Sequence, residues 1–148
     1  MTPSPRGFYE SGSSSYLSAG QTLTVTASGG VLPAFGPQSV VLPPVPTLTA
    51  PTEFDIPTKT DLQVTWTGGQ QGATFELKGF SGAQGSFACT WDATLGQGVV
   101  ASSILVGLET NVGGGISSGQ YATTSFAAGR YQIDLEALAF STTTVVFQ

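Results

Sequence analysis

Nine carboxylates, four cations and one thiol make up most of the ionisable chemistry in this 148-residue sequence, which has no histidine. Without imidazole there is no Ser-His-Asp or Cys-His relay and no imidazole metal ligand. No glycine-rich run ends in Gly-Lys-Ser/Thr, so no phosphate loop is offered. Acid–base work would fall to paired carboxylates. The best pair is Asp134 with Glu136, placed on one strand face about 7 Å apart by strand geometry. That pair, or Asp55 with Asp61, could ligate Ca²⁺ with help from loop carbonyls. Neither sits in calcium-loop spacing, and carboxylates at alternate strand positions are ordinarily a solvated face. The expectation is a protein with no catalytic residues, no metal and no cofactor.

The remaining candidates are aromatic. Phe80 breaks the inward alternation of its strand just before a Ser-Gly loop. Trp91 stands near a strand end before Asp92, and Tyr121 has no firm facing. Exposed rings stack on sugars or anchor a protein partner, so Phe80, Trp91 and Tyr121 are the candidate ligand-binding residues. Ordinary packing is the competing role for each, and for Phe8, Tyr9 and Tyr16. Cys89 lies between Phe87 and Trp91 on the inward side. It is expected to be a buried, inert small hydrophobe. A reactive thiol or an intermolecular disulfide is the alternative, and no basic residue stands nearby in sequence to favour thiolate. Thr22, Thr24 and Thr26 share a strand face, as do Thr65 and Thr67, which β-propensity at solvated positions explains.

The elements that position these residues are strands. Apolar and polar residues alternate from Tyr16 onward, with Gly or Pro between runs. Leu23, Val25 and Ala27 mark a first strand. Six prolines punctuate residues 33–51, which makes that segment edge strand or extended connection. Leu62, Val64 and Trp66 point one way, followed by Phe75 and Leu77, then Phe87, Cys89 and Trp91. These predict a three-stranded meander joined by Gly-rich loops. Matching apolar faces puts Trp66 opposite Ala73, Val64 opposite Phe75, Leu62 opposite Leu77, and Asp61 opposite Lys78. In the next hairpin Leu77 faces Phe87 and Phe75 faces Cys89. Residues 99–108 read as a strand end with one or two helical turns. Gly113-Gly114-Gly115 reads as a flexible loop, 121–126 as a strand, and Ala128-Gly129-Arg130 as a turn. Tyr131, Ile133, Leu135 and Ala137 then alternate with polar residues, and 143–147 closes the chain. Eight or nine strands suit a two-sheet sandwich. Residues 1–15, rich in Ser, Gly and Pro, read as a flexible N-terminal segment, and 16–148 as one β-sandwich domain.

Composition bounds the partners. Only 9% of residues are charged and the formal net charge is −5, against roughly a quarter charged in typical domains. Arg6, Lys59, Lys78 and Arg130 are scattered, so nucleic acid and anionic membrane surfaces are excluded as partners. No apolar run approaches the ~18 residues of a membrane span. Abundant Thr, Ser and Gly suit an extracellular domain, with any export signal removed before this numbering begins.

Two local patterns resemble immunoglobulin-like domains. Gly129-Arg130-Tyr131-Gln132-Ile133 resembles the start of strand F, where a Tyr at the corner bonds back to the backbone. Ile133 then stands where antibody domains have Cys, and Trp66 resembles the core Trp of strand C. A longer resemblance covers residues 17–147 and is similar to secreted or lipoprotein domains of myxobacteria-like bacteria. It is carried by Ala19-Gly20-Gln21-Thr22-Leu23-Thr24-Val25, by Leu62-Gln63-Val64-Thr65-Trp66-Thr67-Gly68-Gly69, and by Cys89-Thr90-Trp91-Asp92-Ala93 with Ile104-Leu105. Ala101 departs from that pattern, in which Pro is common. The resemblance implies an all-β, immunoglobulin-like two-sheet sandwich at the outer surface of a bacterium. Trp66, Cys89, Tyr131 and Ile133 are its expected structural residues. The function expected is a non-catalytic structural, adhesive or assembly module. The alternative is a carbohydrate- or other ligand-binding module using exposed aromatics, with or without calcium. Protein, surface polysaccharide or a second copy are the partners in view.

Overall fold

The computed structural model describes residues 2–3, 9–10, 17–30, 33–82 and 85–148. Twelve strands account for most of them: β1 (Thr2–Pro3), β2 (Tyr9–Glu10), β3 (Thr22–Ala27), β4 (Phe35–Val41), β5 (Thr47–Ala50), β6 (Asp55–Ile56), β7 (Leu62–Thr67), β8 (Thr74–Ser81), β9 (Gly85–Asp92), β10 (Gln97–Val100), β11 (Gly113–Ala128) and β12 (Tyr131–Phe147). A 3-10 turn, Ala93–Leu95, follows β9, and one short helix, α1 (Ser102–Leu105), follows β10. The expectation of a flexible segment at 1–15, and of Phe8 and Tyr16 packing, falls mostly outside the described residues. Within that segment β1 pairs antiparallel with β2.

The protein is all-β. A five-stranded sheet, ordered β6-β12-β11-β8-β9, faces a three-stranded sheet, β10-β7-β5. The main core lies between them. Leu62, Val64, Trp66 and Val100 from the smaller sheet meet Phe75, Leu77, Phe87, Ile116, Val145 and Phe147 from the larger one. Trp66 and Phe75 stack across the gap, rings parallel with centroids 3.8 Å apart. The Trp66 indole N–H donates to the Ala93 carbonyl at 2.7 Å, which satisfies a buried polar atom that would otherwise be costly. The third sheet of this body-and-cover arrangement is the antiparallel pair β3–β4. It lies on the far half of β11 and β12, where Val40, Leu42, Ala137 and Ala139 form a second, smaller core.

β11 and β12 pair without interruption from Gly113–Val146 to Ala128–Tyr131. β8 accompanies β11 only from Gly114 to Tyr121. Residues 122–128 and their partners therefore project about 23 Å past the end of β8 as a two-stranded arm. The turn at its tip uses Gly129 at φ 62, a left-handed conformation that favours glycine.

Several sequence expectations are corrected. β7 does not pair with β8. Its neighbours are β10 and β5, with Val64 beside Gly98 and Leu48 beside Trp66. The expected meander is therefore two strands, β8–β9, with β7 in the opposite layer. The apolar faces do meet, but across the core and not side by side. The β8–β9 register is displaced by two residues from that expected: Leu77 lies beside Cys89, Phe75 beside Trp91 and Gly79 beside Phe87. A bulky Phe87 ring sits over Gly79, where an added Cβ would come within 2.2 Å of it, so the glycine selects the register. Asp61 is not opposite Lys78. It accepts from the Ser102 N–H at 2.8 Å, and Lys78 pairs with Glu76 at 2.7 Å.

Gly113-Gly114-Gly115 is not a loop but the start of β11. A Cβ at Gly114 would come within 2.3 Å of the Phe80 carbonyl oxygen, so small residues there permit close strand approach. The strand expected at 121–126 is part of one 16-residue strand, and the separate strands expected at 131–137 and 143–147 are one 17-residue strand.

Candidate functional site

The outward face of the five-stranded sheet gathers two exposed rings, Phe80 and Phe140, with hydroxyls and a paired charge. On β8 the outward residues are Thr74, Glu76, Lys78 and Phe80. Register then places Phe80 beside Gly115, Lys78 beside Ser117, Glu76 beside Gly119 and Thr74 beside Tyr121. On the far side of β11, Gly119 lies beside Phe140 and Tyr121 beside Leu138. Phe80 is 48% exposed, Phe140 59% and Leu138 38%.

The glycines shape this face. A Cβ at Gly115 would lie within 2.7 Å of the Phe80 ring, and one at Gly119 within 2.6 Å of Phe140 Cβ. The Phe80 ring therefore lies down on β11 and leaves its other face to solvent. Over Gly119 there is a groove of about 200 Å³ lined by Glu76, Lys78, Ser117, Gly119, Leu138 and Phe140. A wider, open depression of about 410 Å³ adjoins it across β8, lined by Gly72, Ala73, Thr74, Thr90, Trp91 and Asp92. Asp92 Oδ1 accepts from the Thr94 N–H at 2.8 Å and from its hydroxyl at 2.6 Å. These bonds hold the Asp92 carboxyl below its ordinary pKa, so it is a carboxylate at neutral pH. The Glu76–Lys78 pair leaves the groove's own charges compensated. The chemistry on offer is ring stacking and hydroxyl hydrogen bonding.

Two of the three candidate binding aromatics belong to this face: Phe80 and Tyr121, the latter half-buried between Thr74 and Leu138. Trp91 does not share it. Its side chain turns to the inner side, 5.8 Å from Trp66 and 6.1 Å from Phe75 between ring centroids. Its indole packs over Gly98 of the facing sheet, where a Cβ would come within 2.4 Å. Trp91 thus closes the side of the sandwich between β9 and β10, and only its border reaches the wider depression.

Phe140 and Leu138 were not singled out from sequence. The signal was present: the inward alternation of Tyr131, Ile133, Leu135 and Ala137 carries on to Ala139, which makes two large apolar residues point out.

The other expected residues resolve as follows. Trp66 is a core residue at 3% exposure. Cys89 is half-buried on the inner side of β9, and burial pushes its thiol pKa up, which disfavours thiolate. Asp134 and Glu136 lie on the outer face of β12, and Asp134 accepts from the Ser125 hydroxyl at 2.6 Å. Among the described residues no group of three or more potential ligands gathers for a metal ion, and no helix is long and apolar enough to cross a membrane. The Tyr131 corner differs from its expectation. Its hydroxyl accepts from the Arg130 guanidinium at 3.0 Å, with the guanidinium carbon 5.1 Å from the ring centroid. Ile133 is half-buried and outside the main core. Trp66 and Tyr131 also stand in different sheets.

No family model, curated protein or solved structure matches this chain.

Proposed function

We propose that the protein is a non-catalytic adhesive module that holds neutral polysaccharide on the outer face of its five-stranded sheet. The observation that carries this reading is the pair of exposed rings, Phe80 and Phe140, on one glycine-floored face. Flat apolar rings flanked by hydroxyls suit the apolar faces and hydroxyl rims of pyranose units. The compensated Glu76–Lys78 pair favours an uncharged ligand over an anionic one. An exported, cell-surface setting accords with the low charge and the hydroxyl-rich strands. The finer fold reading, an immunoglobulin-like sandwich, draws support from the two facing sheets and the core Trp66, and none from the Tyr131 corner.

Binding to a panel of soluble neutral polysaccharides, read by calorimetry, tests the ligand. Phe80→Ala and Phe140→Ala are each expected to weaken binding at least tenfold without lowering the melting temperature by more than a few degrees. Chelation of divalent ions should leave binding unchanged, and incubation should release no new reducing ends. Retained affinity in both variants would overturn the reading. A structural or assembly role is a second reading, favoured by a different feature, the open edge of β12.

A further inference from the structure

Beyond residues 146–148 the outer edge of β12 is bare among the described residues. Val146 and Gln148 donate their N–H groups to Phe54 and Ile56 carbonyls at 2.8 Å each. Backbone direction alternates along a strand, so every even-numbered residue from Gln132 to Thr144 also points its N–H and C=O away from β11. Among the described residues none of these has a strand partner on that side, since β6 meets β12 only at Val146 and Phe147.

Natural edges are usually blunted by proline, lysine, a bulge or a short length. β12 lacks most of these defences, and its charged residues, Asp134 and Glu136, stand toward one end of the free span. It contains no Pro, Gly, Lys or Arg, and its ladder with β11 shows no register shift. An edge of this kind is a template for another strand.

We propose that this edge pairs antiparallel with β12 of a second copy, about a two-fold axis at Leu138. This deepens the assembly reading above. The register follows from two constraints. The free span is 132–144, bounded by the turn on one side and β6 on the other, and Leu138 is its midpoint. Pairing centred there uses all the free groups, about fourteen hydrogen bonds. Charge agrees. Asp134 then faces Thr142 of the second copy and Glu136 faces Phe140, so no like charges stand directly opposite. Centring on Glu136 would set carboxylate against carboxylate, and centring on Phe140 would run Asp134 into Val146, which β6 occupies. The two outer faces become one continuous sheet with a Leu138 from each copy at its middle.

Position 142 tests both pairing and register. Thr142 is exposed and its N–H points outward, so Thr142→Pro removes an edge donor while leaving the β11 ladder intact. Thr142→Lys would meet Asp134 of the second copy, and Thr142→Glu would oppose it. Sedimentation of the full chain over a range of concentrations is expected to show a dimer. It should be weakened at least tenfold by Thr142→Pro, weakened about fivefold by Thr142→Glu and tightened about fivefold by Thr142→Lys. Circular dichroism and melting temperature confirm that each variant is folded. A full chain that stays monomeric overturns the proposal. So does a dimer in which Lys and Glu at 142 act alike. Of the two polysaccharide variants, Phe140→Ala lies on this edge and Phe80→Ala does not, so the Phe80 arm reads polysaccharide binding apart from pairing and either reading can fail alone.

Discussion

The body and the arm are built on the same two strands yet are covered differently. In the body β11 is continued by β8 and then β9, β12 is met by β6, and the sheet is capped by β10-β7-β5. Ile116, Val145 and Phe147 are buried there among fifteen core residues. In the arm the same strands carry only β3–β4, and Phe126, Ile133 and Leu135 are half-buried. Phe126 leans on Phe35 at 5.0 Å, and the buried set has four members. Backbone pairing of β11 with β12 is continuous through both, so hydrogen bonding does not distinguish them. Side-chain burial does, and it is the larger stabilising term.

The largest expected effect sets one aromatic of each region against the other. Phe75→Ala should destabilise by about 4 kcal/mol, since the ring is fully buried against Trp66. Phe126→Ala should cost about 1–2 kcal/mol, because half of its burial is absent at the start. Denaturant unfolding measures both, and equal costs would erase the distinction between body and arm.

Next comes the residue at the boundary. Gln120 is fully buried. Its Nε2 donates to the Pro44 and Gly68 carbonyls at 2.7 and 3.1 Å, and its Oε1 accepts from the Gln70 N–H at 3.0 Å. It joins the β4–β5 connection and the β7–β8 loop to the sheet. Gln120→Leu takes the partner from three part-buried backbone groups and should cost about 2 kcal/mol. Broadened resonances in both loops would show that one side chain holds the two regions in place.

A smaller effect is expected at the arm tip. Gly129→Ala forces a side chain into φ 62 and towards Pro33 Cγ, 2.8 Å from the added Cβ. The expected loss is about 1–2 kcal/mol, with faster amide exchange limited to the arm. Exchange that quickens equally around Phe75 would show the arm and body opening as one unit.

The smallest effect is acid dependence in the body. The Ser102 N–H and hydroxyl hold the Asp61 carboxyl below its ordinary value, and Thr94 does the same for Asp92. Folded pKa values below unfolded ones mean a contribution present above the unfolded carboxylate range and lost as pH falls through the folded values. Both groups are fully exposed, so the slope is shallow. Melting temperature between pH 6 and pH 2 should fall less in Asp61→Asn and Asp92→Asn than in the parent chain.

Period-two patterning made the strand class and the facing of each side chain legible in the sequence. Val64, Trp66, Phe75 and Leu77 all point into the core as their alternation requires. Pairing was not legible, because alternation says which face a residue takes and nothing about its neighbour. Val64 and Phe75 satisfy the same pattern whether they sit side by side or meet across the core. What decides is the 68–73 loop, drawn to the other layer by Gln120 and by Gly69, where a Cβ would come within 1.8 Å of the Ala93 carbonyl. Of the candidate site, Phe80 could be read from its broken alternation. Phe140 and Leu138 could have been, had the pattern been followed two residues further. Gly115 reads as a loop residue and Gly119 carries no sequence signal, since their use under neighbouring strands is a tertiary fact.

The Gly129 turn joins strands that meet no other ladder until Tyr121 and Val146. Adding two residues to each strand beside that turn would lengthen the projection by about 7 Å and keep every inward residue inward. Adding one to each would invert the tip. The reach of the arm's tip beyond the second small core is therefore adjustable only in paired increments, so the projection can change length while the sandwich stays as it is.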